Sequence, residues 1–397
     1  MADTEDGPPP KKVKFQLSTS ANDCVHLRIV HSASELDDDG AGFSPAFTYH
    51  AFGKEEVIYG YTGLRIWLTF AARTFDCLVE ITYDTKDADA WDLFAKMQQS
   101  LPNDATQDKA AFLAKLEATS KLPLPGKLVS SYTTESLAFE TYFSPLDDRG
   151  REYLNKMQKL SLWFIEGADD IDVADERWSL YTIFHKDAND VLRPAGYITM
   201  FTFHLPVSHG AMTKSKRICQ VLVLPPYQRR GHGERLVELI MADARRADDI
   251  YEITVEDPVP GFARLRDVVD VKACVAYGFF VEPPTHPASG VAKGTQKCTA
   301  TEIHHVKQAL KITRLQVQRC YEALKLRWID RNDEDAFKGY RLEVKRRLHG
   351  LHAEDLEAAA SADRKKALLA NLFSELEAEY DTVLSRTKLI DTTLASE

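Results

Sequence analysis

Apolar residues recur at two spacings along this chain, and the changes from one spacing to the other mark out its elements. The segment "DCVHLRIVHS" (residues 23–32) reads as a strand. An acidic loop follows, "SELDDDGAG" (34–42). The aromatic and β-branched segments "FTYHAFG" (47–53), "VIYGYTGLRIWLTF" (57–70) and "CLVEITYD" (77–84), broken by glycine or charge, predict further strands. Helical spacing then takes over in "DAWDLFAKMQQSL" (89–101) and "DKAAFLAKLEATS" (108–120). After the break "LPLPG", two more strands are expected near 127–133 and 137–143.

A second block opens at "REYLNKMQKLSLWFIEGA" (151–168), where apolar positions 153, 154, 157, 160 and 164 predict a helix. Strands are expected at 178–186, 194–206 and 216–224. Then come a helix from about 232, the strand "DIYEITVEDP" (249–258), the helix "FARLRDVVDVKACVAYG" (262–278) and the short apolar "GFFV". "PPTHPASGVAKGTQ" (283–296) reads as a linker. Beyond Glu302 the pattern is helical throughout, and Leu368, Leu372, Leu376, Tyr380 and Val383 form one stripe on a long last helix. The division this predicts is an α+β domain over 1–146, a second over 147–282, and a helical domain over 283–397.

Composition narrows the class. With 397 residues, 44% of them hydrophobic, the chain exceeds one ordinary core. No apolar run reaches the roughly 18 residues of a membrane span, and the start lacks a signal peptide's apolar centre. Six cysteines (24, 77, 219, 274, 298 and 320) are scattered without a Cys-x-x-Cys pair, so neither a metal site nor a disulfide framework is expected. A net charge of −10 argues against direct nucleic-acid binding and permits a basic partner. "PPPKKVK" (Lys11, Lys12, Lys14) is either a short nuclear address or plain solvation.

The stretch richest in chemistry is "LVLPPYQRRGHGERLVELIMADARR" (222–246). An apolar strand ends at two prolines, and Gln228, Arg229, Arg230, Gly231, His232, Gly233 and Glu234 lead into an amphipathic helix. The first N–H groups of a helix have no internal acceptor, and the helix dipole adds about half a positive charge there. Two glycines bare that end, so a diphosphate can sit on it, with Arg229 and Arg230 adding charge. His232 is expected to be exposed beside the ligand.

Gln-x-x-Gly-x-Gly after a buried strand resembles the cofactor loop of the GNAT superfamily of N-acetyltransferases. The resemblance implies acetyl-CoA as co-substrate and no metal. Val221, Leu222 and Val223 would contact the pantetheine arm, residues 228–234 the phosphates, and an N–H near Leu222 would polarise the thioester. "FGKEEVIYGYTGLRIWL", "LWFIEGADDIDVADERWSLY", "GYITMFTF", "VEDPVPGFARLRD" and "GYRLEVKRRL" are similar to segments of the type B histone acetyltransferases. With the loop, these blocks run from about residue 52 to 348. The implied fold is a GNAT acyl-CoA-binding fold, α+β, between an N-terminal mixed domain and a C-terminal helical one. The implied activity is acetylation of lysine in the tail of newly made histone H4, with H2A a second candidate. A WD40-repeat histone chaperone is the implied second subunit, and cytosol and nucleus the compartments. Glu234 departs from the small residue expected in the loop.

Lysine titrates near about 10.4, so acetyl transfer needs a group to take its proton. Glu256 and Asp257 are consecutive at the end of the strand of 249–258, and in extended chain only one of them faces the thioester. Glu256 is the first choice for the base, partly by resemblance. Asp257 can cap the next helix instead. Glu166, at the end of the "LWFIE" helix, is a second carboxylate that the family brings towards the site. Cys219 raises the option of an acetyl-cysteine intermediate, but without a histidine partner direct attack in a ternary complex is favoured. By resemblance, Glu55 and Glu56 with Phe201, Thr202 and Phe203 touch the peptide, the aromatics walling a lysine channel. The basic run Lys338, Arg341, Lys345, Arg346 and Arg347 is a solvated face, a packing surface or a cofactor contact. Two alternatives stand beside this reading: an acetyltransferase for a polyamine or a protein N-terminus, and a non-catalytic acyl-CoA-binding scaffold.

Overall fold

A computed structural model describes residues 17–36, 42–206, 210–280 and 297–389. The lysines of "PPPKKVK", part of the acidic loop and the 283–296 linker lie outside the described residues. Strands and helices both occur in quantity, so the fold class is α+β. The chain divides into two compact units, the first made of residues up to Thr199 with Gln220–Arg230, the second of Met200–Cys219 with residues from Gly231 on.

In the first unit, β1 (Ser18–Ser20), α1 (Ala21–Cys24) and β2 (Val25–Val30) precede the one-turn α2 (Tyr49–Phe52). Then follow β3 (Val57–Tyr59), β4 (Tyr61–Thr62), β5 (Arg65–Ala71), β6 (Cys77–Thr82) and β7 (Thr85–Lys86). Strand β2 lies parallel to β5, and β5 antiparallel to β6. Next come α3 (Leu93–Met97), α4 (Lys109–Thr119), β8 (Lys127–Thr134), β9 (Leu137–Ser144), α5 (Asp148–Met157) and β10 (Trp178–Lys186). Asp92, Asp108 and Asp147 cap α3, α4 and α5 by accepting from the third residue on, as the short polar side chain allows. Strands β8, β9 and β10 are joined as an antiparallel meander, continued by the first part of β11 (Leu192–His204) and the end of β12 (Lys214–Val223). One core closes around Tyr153, Trp163, Phe184, Tyr197, Phe70 and Phe75, all buried.

The second unit holds the end of β11, the beginning of β12, β13 (Ile250–Val255) and the helices α6 (His232–Arg246), α7 (Pro260–Tyr277), α8 (Ala300–Leu310), α9 (Arg314–Leu326), α10 (Glu334–Leu351), α11 (Ala353–Ala358) and α12 (Ala362–Arg386). The apolar face of α6, namely Leu236, Val237, Ile240 and Met241, is buried as its period requires. On α12 the buried stripe is Phe373, Leu376, Tyr380, Val383 and Leu384. Leu368 and Leu372 are only half-buried.

Two expectations are corrected. "FTYHAFG" forms the helical turn α2 and not a strand: the Phe52 N–H donates to the Thr48 carbonyl at 3.0 Å, and the Thr48 N–H is taken by the Glu56 carboxylate and not by a neighbouring strand. The helical run from 302 to 329 is two helices. Lys311 ends α8 in the left-handed region (φ 57°), and Thr313 then caps α9 by accepting from the Gln316 N–H at 3.1 Å.

Candidate active site

Strands β12 and β13 run parallel in register from Lys214↔Ile250 to Ile218↔Val255. The last tie is the Glu256 N–H donating to the Ile218 carbonyl at 2.9 Å. There β13 stops, while β12 runs on to Val223. The chain bends at Glu256 and Asp257, the latter at φ 31°, and α7 starts at Pro260. The opposite-face argument for this pair therefore does not apply, since neither residue is in extended chain. Nor does Asp257 cap α7: the N-cap is Val259, followed by a proline whose missing N–H costs nothing at that position.

Around Glu256 the second unit gathers a small aromatic and charged group. Alternation along β11 puts Phe201 and Phe203 on one face, with ring centroids 4.8 Å apart, and turns Thr202 to the other. The Arg217 guanidinium lies 4.7 Å from the Phe203 centroid and 3.4 Å from the Glu256 carboxylate. That ion pair is loose, with side chains 39% and 48% exposed. Sequence reasoning missed Arg217. The signal was its place two residues before Cys219, which puts both on one face of β12.

Cys219 lies beside Glu256. Burial first, then the neighbouring Glu256 carboxylate, pushes its thiol up to about 12. Its Sγ donates to the Arg217 carbonyl at 3.6 Å. A thiol held protonated at neutral pH is a poor nucleophile, so the arrangement favours direct attack over an acetyl-cysteine.

At the start of α6, Gly231 is the N-cap with φ 83°, and its carbonyl accepts the Arg235 N–H at 3.1 Å. A Cβ there would meet nothing within 4 Å, so glycine is required by the left-handed backbone and not by crowding. The open space over a helix N-terminus fits a diphosphate. His232 is 2% exposed, which corrects the expectation of an exposed ring: the first turn of α6 points it inward. Glu234 also finds its explanation here. Its carboxylate pairs with Lys272 and, at 2.9 Å, with Arg386, so two cations offset the negative charge in the first turn.

The remaining expected site residues belong to the first unit. Leu222 is buried, and its carbonyl passes so close to Gly196 that a Cβ there would lie 2.6 Å away. Val221 and Val223 are half-buried. Gln228 donates its amide to the Val223 carbonyl at 2.8 Å, fastening the loop to the strand end. Arg229 takes a left-handed backbone (φ 64°), and Arg230 stands 3.4 Å from Glu135. Glu166 is exposed, but in a turn beyond the 3-10 helix Gln158–Trp163, not at a helix end. Glu55 is exposed. Glu56 is tied into the fold, since besides the Thr48 N–H it accepts from Asn22 at 3.1 Å. In the second unit, Arg347 of the basic run packs inward onto Glu322, while Lys338, Arg341 and Arg346 are exposed.

Comparison with known proteins agrees with this geometry. Residues 17–166 match the family described as histone acetyl transferase HAT1 N-terminus, and residues 146–265 the acetyltransferase (GNAT) family. The mouse histone acetyltransferase type B catalytic subunit is 30% identical over 354 residues, covering 85% of this chain and 82% of its own. The human protein of that name is also 30% identical, at 85% and 81% coverage. The Kluyveromyces lactis protein is 30% identical over 387 residues, at 93% and 92%. A match of this extent, joined to the α6 cap and the carboxylate at the end of β13, means that the chain belongs to the family of type B histone acetyltransferase catalytic subunits, acetyltransferases of the GNAT fold.

Proposed function

We propose that this enzyme transfers acetyl from acetyl-CoA to a lysine in the N-terminal tail of newly made histone H4, with Glu256 as general base. The observation that carries the reading is Glu256 itself. It sits exposed where the β12–β13 ladder ends, with Phe201 and Phe203 on the neighbouring strand, and its ion pair with Arg217 is loose. The start of α6 from Gly231 to Glu234 is the seat for the diphosphate of acetyl-CoA. Acetyl-CoA supplies the thioester.

Glu256 accepts a proton from the lysine ammonium, directly or through water, and the neutral amine so formed attacks the thioester carbonyl carbon. The C–N bond forms, the C–S bond breaks, and the proton still on the attacking nitrogen passes to the sulfur, which leaves as the coenzyme A thiol. Phe201 and Phe203 give the lysine methylenes an apolar wall. On family resemblance alone, the reading also carries a WD40-repeat histone chaperone as second subunit.

The test is acetyl-CoA with the purified chain and either H4 tail peptide or spermidine. Acetylated peptide in the mass spectrum is expected. Transfer to spermidine and not to peptide would sink the proposal.

A further inference from the structure

Three segments of the second unit meet at one cation. Arg217, on β12, lays its guanidinium 4.7 Å from the centroid of the Phe203 ring on β11 and 3.4 Å from the Glu256 carboxylate beyond β13. Cys219, two positions on and on the same face of β12, keeps its proton and so brings no second anion to the guanidinium.

Phe203 and Glu256 are also the groups that a substrate lysine uses in the proposed reaction, the ring for its methylenes and the carboxylate for its ammonium proton. Arg217 offers the same chemistry, a cation at the end of a flexible aliphatic stem, and already touches both. A lysine ammonium brought to the same carboxylate meets a like charge, and the ring face under the guanidinium is taken. Nothing locks the arginine in place. Its contact with the carboxylate is a single long one, and both side chains reach water, so a guanidinium turned outward is hydrated instead. Arg347, buried with two bonds to Glu322, has no such exit.

We infer that Arg217 is an internal stand-in for the substrate: in the free enzyme its guanidinium occupies the seat between Phe203 and Glu256, and the lysine of the bound peptide displaces it. The inference rests on the proposed function, in which Glu256 marks the lysine position. Arg217 thereby weakens binding of the lysine by the strength of its own two contacts, and does so only for a side chain that enters the seat. An exposed ion pair and an exposed cation–π contact together amount to about three- to thirty-fold in affinity.

The test compares two fluorescein-labelled peptides rich in glycine and arginine, identical except that one carries a central lysine and the other glycine there. Anisotropy in saturating coenzyme A gives both dissociation constants, and their ratio isolates the seat because the rest of the peptide cancels. Arg217→Gln should raise the preference for lysine by about three- to thirty-fold. Arg217→Lys, which keeps a cation on a flexible stem, should leave it within about two-fold of the wild type. A misfolded fraction weakens both peptides alike and leaves the ratio unmoved. A crystal of the enzyme with coenzyme A and the lysine peptide should show the guanidinium moved off Phe203 and Glu256. A preference in Arg217→Gln no higher than in the wild type overturns the stand-in, as does a guanidinium still on both groups with lysine bound. If the wild type nevertheless acetylates the lysine peptide from acetyl-CoA, the proposed function survives either result. A preference raised by Arg217→Gln, without acetylation of that peptide, supports the stand-in and overturns the proposed function instead.

Discussion

Two arginine–carboxylate pairs in the second unit are built in opposite ways. Between α9 and α10, Glu322 is 1% exposed and takes two hydrogen bonds from Arg347, at 2.8 and 2.7 Å, and another from the Tyr380 hydroxyl at 2.8 Å. At the end of β13, Glu256 lies beside the Cys219 thiol and 3.4 Å from Arg217, and the side chains of that ion pair are substantially exposed. The buried pair has every oxygen committed, so it can only hold helices together. The loose pair is worth little to stability, which leaves its carboxylate free to meet a proton. Equal chemistry is thus fixed or left available according to burial and coordination.

The sharpest way to break that contrast is to neutralise each acid in turn. Glu256→Gln should cost about a hundred- to ten-thousand-fold in kcat, with the melting temperature unmoved. Retained turnover, or a melting point that falls with it, would erase the distinction. Glu322→Ala should do the reverse. It strands the Arg347 guanidinium in the interior, so urea unfolding should show a loss of about 3–5 kcal/mol. A loss below about 1 kcal/mol, the range of exposed pairs, would mean the coordination seen at Glu322 adds nothing.

A smaller effect is expected in the first unit, where burial acts on a histidine. Burial, reinforced by Arg193, holds the His31 imidazole down at about 4, against about 6.5 when unfolded. Between those values the unfolded chain binds a proton that the native state does not. His31 stability is therefore intact above pH 6.5 and is lost as the pH falls towards 4. Urea midpoints at pH 7 and 4.5 should show His31→Gln losing less than the wild type, by on the order of 2 kcal/mol. Equal losses would show that the imidazole is not excluded from water. Least of all should Arg217→Gln matter to the fold: less than about 1 kcal/mol by the same unfolding measurement. A larger loss would make this exposed pair as structural as its buried counterpart.

Much of this architecture was legible because its elements are long and strongly periodic. The helices α4, α6 and α7 and the strands β8, β9 and β12 lie where the spacing of apolar residues put them. Short elements were not legible. The turn at Tyr49–Phe52 is tied at Thr48, just before it, to Glu56, a residue outside the turn. At the candidate site, the glycine-spaced helix start could be named from residue order, and Glu256 from residue order together with family resemblance. Arg217 could not, because its contacts with Phe203 and Glu256 join three separate segments. The bend that takes Asp257 off the strand and the inward turn of His232 were hidden for the same reason.

Local pattern by itself determined the α+β class and the glycine-spaced strand-to-helix loop. Period, turn chemistry and helix capping act over a few residues, so they are written in the order of the chain. Only the tertiary structure decided which acids are tied down and which stay free, and that Cys219 keeps its proton. Those properties depend on exclusion of water and on partners tens or hundreds of residues away, and no local pattern encodes them.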